Sequence, residues 1–516
     1  MYPGILAFIA AFIAAACAAP IVARSALALG IVDQPDGHRK LHVRPVPLVG
    51  GPTILLSLFV ALGIALWSFP DALRSTDNDR QFLICLTLAS VVIVLIGLID
   101  DRFGIRGRQK LAGQFLAAIL LLPSGIVVRE TSLFGTTFVF GDLAPIVTVL
   151  FIVGAINALN LIDGVDGLAS TTGIVLSLSI AAVTWICGGR PDGLIMSTAL
   201  AGSLAGFLIY NFPPARMFLG DSGSMLIGLI LGAVALKCSI RQYAAATLIM
   251  PTAIWAIPIF DVAMAIVRRK LTGRSIYETD HGHLHHCLQR KGYVGWRLLL
   301  LTGLLCALTG VGAVAGSVWK NDLIAVVGVM TALLLLILTR SFGHTEMMML
   351  SSRARRLAGS LIRRSSPAAT VLHDEKVRLT GDHDWQQLWQ TLTAYGERFS
   401  LDSMDLNVNL PIVGEGYHAS WKRKSETERH QEWRSEIPLT VDGLRIGHLR
   451  IVGAAGDDSV FRAMSELIGG LQAFENELAD VVRDIRRRRL GVESVTPISE
   501  AESAADLSDS QQFVLG

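Results

Sequence analysis

Residues 146–168 read IVTVLFIVGAINALNLIDGVDGL, an apolar run that closes on Asn157, Asn160, Asp163 and Asp166. A run of this kind suits a membrane crossing, which takes about 20 mainly apolar residues. It is one of a series. Counted over 143–162, it joins apolar blocks at 3–23, 48–69, 82–100, 110–128, 170–188, 194–211, 222–240, 243–267, 296–317 and 321–341. Composition agrees: of 516 residues, 52% are hydrophobic and 17% charged, and the mean hydropathy is +0.51. Soluble domains run near 25% charged, so a single water-soluble globule is excluded. The expected fold is an all-α polytopic membrane protein with about eleven transmembrane helices over residues 1–341, followed by a small cytoplasmic α+β domain.

The charge balance, 45 Lys and Arg against 43 Asp and Glu, gives no sign of nucleic-acid binding. The six cysteines show no CxxC spacing and sit mostly in apolar blocks, as small core residues do. No Lys or Arg precedes the first apolar run, so an uncleaved helix is expected rather than a signal peptide. The joints between blocks differ in charge. One set carries Arg24, Arg39, Lys40, Arg44, Arg102, Arg106, Arg108, Lys110, Arg216, Arg268, Arg269, Lys270, Arg274, Arg290, Lys291 and Arg297. The other carries Arg74, Arg80, Arg129, Arg190, Lys237, Arg241 and Lys320. By the positive-inside rule the first set is cytoplasmic, the N-terminus lies outside and the tail inside. Residues 131–140 on the outer side, TSLFGTTFVF, read as a small hairpin about a central glycine or as an irregular loop.

The cytoplasmic joints also hold the unusual side chains. Residues 33–51 are dense in Pro, Gly, His and basic groups; Asp100 and Asp101 end the third block; Asp221 opens the eighth in MFLGDSGS. Between the ninth and tenth lies DHGHLHHCLQRKG, with Asp280, His283, His285 and His286. Singly, each has an ordinary reading: a solvated interface pair, a turn, a polar loop. Together they fall on one side, and acids bordering membrane spans are functional candidates. Carboxylates and an asparagine are hard oxygen ligands that suit Mg²⁺ better than Zn²⁺. Lys40, Lys110 and the histidines can neutralise phosphate oxygens, and glycine-rich corners let backbone amides approach an anion. This is a toolkit for phosphoryl transfer onto a lipid phosphate.

At these residues the chain resembles the polyprenyl-phosphate N-acetylhexosamine-1-phosphate transferase family. The Asp-Asp pair, NALNLIDGVDGL, FLGD and the DxxHLHH loop stand in family order over roughly residues 1–340. The interrupted HLHH run, broken by Leu284, resembles the WecA/TagO branch that uses UDP-N-acetylglucosamine. The phospho-N-acetylmuramoyl-pentapeptide branch carries three consecutive histidines and is the alternative. The resemblance implies a Mg²⁺-dependent phosphotransferase of the bacterial cytoplasmic membrane, with Mn²⁺ as a substitute metal. It transfers sugar-1-phosphate from a UDP-N-acetylhexosamine to undecaprenyl phosphate, releases UMP, and works as a monomer or homodimer among membrane lipids. It further implies Asp221 and Asn160 as metal ligands and Asp100 and Asp101 as catalytic residues beside the lipid phosphate. Substrate binding would fall to Lys40, Lys110, Asn157, Asp163, Asp166, His283, His285 and His286. Asp261, inside the ninth block, reads either as a structural carboxylate or as a residue of the active cleft.

Beyond residue 341 the pattern changes. Residues 342–369, with Arg353, Arg355, Arg356, Arg363 and Arg364, read as a basic juxtamembrane linker. Over 370–490 a helix at 382–398, a strand at 403–411 and a hairpin turning at Asp442-Gly443 are expected. A helix over 458–489, broken near Gly469-Gly470, completes the small α+β domain. Residues 491–516 have a disordered composition. A secondary transporter of an anionic solute is the rival reading, but it would place acids near the bilayer midplane in repeated, interrupted helices. No repeat is visible here.

Overall fold

The computed structural model describes residues 2–34, 45–70, 77–134, 136–188, 191–242, 248–271, 282–348, 350–351, 354, 373–380, 383, 385–399, 401–410, 413, 415–423, 432–454 and 460–490. Lys40, Asp280 and the arginines at 353, 355, 356, 363 and 364 lie outside them. The chain forms two units, Met1–Arg355 and Arg356–Gly516.

Among the described residues of the first unit, eight helices are long and apolar enough to cross a membrane. They are α1 (Tyr2–Leu29), α2 (Gly50–Ser68), α3 (Asp77–Phe103), α5 (Ala144–Ile162), α6 (Leu168–Ile186), α7 (Pro191–Asn211), α8 (Gly220–Gln242) and α12 (Trp296–Val318). The other three expected spans are helical but short or broken. After α4 (Gly107–Ile119) the chain tightens into a 3₁₀ turn at Leu122–Ser124 and leaves through Gly125 at φ +79°. Pro123 removes an amide there and the left-handed glycine ends the helix. The ninth block forms α9 (Ile249–Ile254) and α10 (Ala256–Leu271) with a joint at Trp255. Pro258 explains that joint, because its ring would strike the carbonyl four residues earlier in a continuous helix. The last block forms α13 (Asp322–Leu338), apolar but only 17 residues long. Between α10 and α12 lies α11 (Leu284–Arg290).

Every residue in the apolar window of α8 is buried, against 22% for α1. That difference makes α8 the centre of the unit, packed by α2, α3, α5, α6 and α7. Glycines let the backbones close in: a Cβ on Gly97 of α3 would run into the Ser222 backbone at the start of α8. Two short strands, β1 (Val32–Asp33) and β2 (Val46–Pro47), pair beneath α2. Leu48 then bridges Phe218 just before α8. The expected hairpin is present as β3 (Glu130–Leu133) and β4 (Thr136–Val139). Thr131 Oγ1 accepts from the Leu248 amide at 3.1 Å, tying the hairpin to the entry of α9.

The second unit carries an antiparallel sheet in the order β5-β7-β6-β9-β8. Its strands are β5 (His373–Thr380), β6 (Ser403–Leu410), β7 (Glu415–Lys422), β8 (Glu432–Val441) and β9 (Leu444–Ala454). The β8–β9 turn has Asp442 and Gly443 both at positive φ, the type I′ geometry that an Asp-Gly pair favours. Helices α14 (Gln386–Arg398) and α15 (Val460–Leu490) complete it. Leu388, Trp389 and Leu392 of α14 join Leu471, Phe474, Leu478 and Val482 of α15 in one core with Trp421 and Leu449 of the sheet. The expected break at Gly469-Gly470 does not occur. Glycine costs a helix about 1 kcal/mol against alanine without forbidding helical angles, and the apolar stripe from Leu471 onward keeps its period.

At one end of the membrane unit, Lys237 of α8 lies between Asp192 of α7 at 2.6 Å and Asp79 of α3 at 3.4 Å. Its ammonium also stands 4.0 Å from the Phe82 ring centroid. All three charged groups are buried, so the lysine neutralises carboxylates that water cannot reach. Lys237→Met should lower the unfolding free energy in detergent by about 3–5 kcal/mol, the cost of stranding a buried charge. Adding Asp79→Asn and Asp192→Asn should recover most of it. An unchanged midpoint for the single variant would show that the cluster does not hold the helices.

Candidate active site

The opposite end of α8 is built around its first turn. Gly220, at φ +70°, turns the chain into the helix. Asp101, near the end of α3, accepts from the Asp221 amide through Oδ1 at 2.7 Å and from the Ser222 amide through Oδ2 at 3.2 Å. A carboxylate on the exposed amides of a helix N-terminus satisfies donors that have no intrahelical partner and complements the dipole. Both Asp101 oxygens are therefore engaged in setting where Asp221 stands. Asp101 is a positioning residue in this geometry, and Asp100 is the member of the pair that faces the polar cluster.

Asp100 Oδ1 accepts from the Ile105 amide at 2.9 Å, and its Oδ2 lies 3.1 Å from Lys110 Nζ. The same ammonium is 2.8 Å from Asp221 Oδ1. Asn160 Nδ2 donates to that oxygen at 2.5 Å and to Ser224 Oγ at 2.9 Å. The third block, the fourth, the fifth and the eighth thus meet at one carboxylate. Asn157, a turn before Asn160, is turned elsewhere. It forms a reciprocal amide pair with Gln114, with Nδ2 donating to Gln114 Oε1 at 2.6 Å and the return bond at 3.3 Å. Asn157 and Gln114 brace α5 against α4 rather than joining the cluster.

Asp163 and Asp166 stand in the turn between α5 and α6. Asp166 Oδ2 accepts from the Ala215 amide at 2.9 Å, which fixes the segment leading to α8. Asn211 assists by donating to the Met217 carbonyl at 2.9 Å and accepting from Ser170. Burial, then the negative charges of Asp221, Asp101 and Asp166, hold the Asp163 carboxyl well above the usual carboxylate range. Among the described residues, the carboxyls of Asp100, Asp101, Asp163, Asp166 and Asp221 thus gather near one lysine, Lys110.

The histidine loop reaches the same turn. The His285 ring lies against Gly164, where an added Cβ would come within 2.6 Å of Nε2. His283 and His285 stack at 5.9 Å, and His285 and His286 approach to 4.2 Å between centroids. Asp261 of α10 anchors the loop, 3.1 Å from His283 Nδ1 through one oxygen and accepting from the Leu284 amide at 2.8 Å through the other. Asp261 is thus a structural carboxylate that holds the histidine loop. Gln114 gave no signal in sequence, being one polar residue at the edge of an apolar block.

Among the described residues no three His, Cys, Asp or Glu side chains converge as a dedicated metal cage. Mg²⁺ does not need one, since it binds through one or two carboxylates and takes its remaining ligands from water and substrate phosphates. The excess of carboxylate oxygen about Asp221 fits such an ion.

If Asp101 positions α8, Asp101→Ala should lower unfolding free energy by about 1–3 kcal/mol, the cost of leaving buried donors without an acceptor. Asp221→Asn should leave the unfolding midpoint within error of the parent, as measured by thermal unfolding in detergent. Equal stability of the two variants would contradict the division of roles.

Comparison with known proteins places this geometry. Residues 83–239, from α3 through most of α8, match the glycosyl transferase family 4 model. The probable undecaprenyl-phosphate N-acetylglucosaminyl 1-phosphate transferase of Bacillus subtilis is 31% identical over 322 residues, covering 61% of this chain and 87% of its own. The decaprenyl-phosphate N-acetylglucosaminephosphotransferase of Mycobacterium tuberculosis is 35% identical over 315 residues, covering 57% and 77%. The phospho-N-acetylmuramoyl-pentapeptide-transferase of Shouchella clausii is 32% identical over 327 residues, covering 60% and 95%. With its ordered motifs gathered about the head of α8, this chain belongs to the polyprenyl-phosphate N-acetylhexosamine-1-phosphate transferases of glycosyl transferase family 4.

Proposed function

We propose that the protein transfers N-acetylglucosamine-1-phosphate from UDP-N-acetylglucosamine to undecaprenyl phosphate and releases UMP, the first step of a surface glycan. The observation that carries this is the Lys110 bridge between Asp100 and Asp221, with the histidine loop seated on the neighbouring turn. Relatives from the two donor branches stand at similar identity, so the choice of sugar rests on the HLHH spacing at 283–286.

In the reaction an oxygen of the lipid phosphate bonds to the β-phosphorus, and the bond from that phosphorus to the bridging oxygen of UMP breaks. The second pKa of a phosphate monoester is about 6, so the acceptor is largely a dianion at neutral pH and needs no strong base. Asp100 orients the acceptor phosphate beside Lys110 rather than removing a proton from it. Lys110 neutralises pyrophosphate oxygens, a contribution that grows where water is excluded. Asp163, Asp166 and the three histidines line the nucleotide-sugar side. Mg²⁺ held by Asp221 and Asn160 would neutralise charge on the pyrophosphate and its leaving group.

The basic joints put this site at the cytoplasmic face, where nucleotide sugars are made. Counting α4, the α9–α10 pair and α13 as crossings gives eleven, with the N-terminus outside and the tail inside. Cysteines introduced near Thr136 should react with an impermeant reagent in intact cells, and those near Gly282 should not. The reverse pattern would put the site on the wrong side for its donor.

The chemistry is tested in membranes given labelled UDP-N-acetylglucosamine and undecaprenyl phosphate. Lipid-linked sugar should form with Mg²⁺ and stop with a chelator. Asp221→Asn should lose at least about a thousandfold in rate, the scale of removing a preorganised charge from a transition state. Near-parental activity of that variant at limiting Mg²⁺ would sink the ligand assignment.

A further inference from the structure

The segment after the last apolar helix does not leave the membrane unit at once. Residue 342 opens the expected linker, yet Phe342 is buried and packs edge-on against Phe260 of α10, 5.5 Å between centroids. Gly343, at φ +77°, turns the chain tightly over the same ring. Lys291, just past α11, reaches across to the Thr339 carbonyl at 2.6 Å and Ser341 Oγ at 3.2 Å. The unit boundary accordingly falls after Arg355. Packing this close to the histidine loop has a chemical consequence.

Glu346 is 3% exposed, and its Oε1 lies 2.7 Å from Arg268 Nη1. The same Nη1 donates to the Gly282 carbonyl at 2.9 Å. Gly282 immediately precedes His283, and its bare Cα rests on the guanidinium, where any Cβ would collide. The loop is therefore held at two points two turns apart on α10: Asp261 grips His283 and Leu284, and Arg268 grips Gly282. Asp261 is supplied within the loop's own neighbourhood. Arg268 is paired with a carboxylate from beyond the final helix. A buried guanidinium that loses such a counter-charge is destabilised, and its hold on the Gly282 carbonyl weakens with it.

We propose that Glu346 is a positioning residue for the donor site: it keeps Arg268 on the Gly282 carbonyl and so fixes the loop that presents His283 and His285. The inference rests on the reading of that loop as the UDP-sugar site.

The test uses full-length enzyme in detergent, with steady-state kinetics for both substrates and amide hydrogen exchange over residues 282–290. Glu346→Gln should raise KM for UDP-N-acetylglucosamine by about fivefold or more, close to 1 kcal/mol of lost binding. Its kcat and its KM for undecaprenyl phosphate should stay within about twofold, while exchange in the loop accelerates. Should that variant fold poorly, Arg268→Met/Glu346→Met removes both members of the pair together. It should be stable and still show the raised donor KM and faster exchange, whereas a merely structural role predicts parental values for the pair. Unchanged exchange and donor KM in both variants would overturn the proposal. Faster exchange with an unchanged donor KM, together with a parental donor KM in His285→Ala, would instead overturn the donor-loop reading on which it rests.

Discussion

The site depends on one interaction: the Asp101 carboxylate on the first amides of α8. The first amides of a helix have no intrahelical acceptors, and at the largely buried head of α8 the protein supplies one. Asp101 does this from α3 and fixes the head of α8 against α3 to hydrogen-bond precision. Asp221 stands at that head, and Lys110, Asn160 and Asp100 are arranged about it. The other end of the same antiparallel pair is closed by Lys237 and Asp79. Pinned at both ends, α8 cannot slide, and the carboxylate it presents keeps its place.

Negative charge is concentrated where the substrates are themselves anionic. Lys110 answers two of the carboxylates, Asp100 and Asp221, and the remaining carboxylate oxygen suits a cation such as the proposed Mg²⁺. Charge held apart from water interacts strongly, and Lys110 and Asp100 are largely buried. The histidines add donors from a loop far along the chain, brought to Gly164 by Asp261 and Arg268.

Much of this was legible in the sequence because membrane burial makes polar residues conspicuous. Asp100, Asp101, Asn160, Asp163, Asp166 and Asp221 end apolar runs, and the structure gathers them at one end of α8. The histidine loop was visible through its spacing, and the Asp442-Gly443 hairpin through its turn chemistry. What could not be read were roles set by partners distant in the chain. Asp101 and Asp100 are adjacent and identical in type, yet only the helix that Asp101 caps separates their tasks. Asn157 shares a motif with Asn160, but its partner is Gln114, from a different block. Helix lengths failed at Pro123 and Pro258, where apolar composition continues through a backbone that does not. Glu346 gave no signal, because a single acid after the last span looks like any solvated residue.

The central claim is that this site moves a phosphoryl group, not a bare sugar. It is tested by giving the purified protein, Mg²⁺ and undecaprenyl phosphate a UDP-N-acetylglucosamine labelled with ³H in the sugar and ³²P at the β-phosphorus. The account predicts that both labels enter the lipid in equal proportion and that unlabelled UMP is the nucleotide released. Transfer of tritium alone, with ³²P left behind in UDP, would mean attack at the sugar carbon and would contradict it.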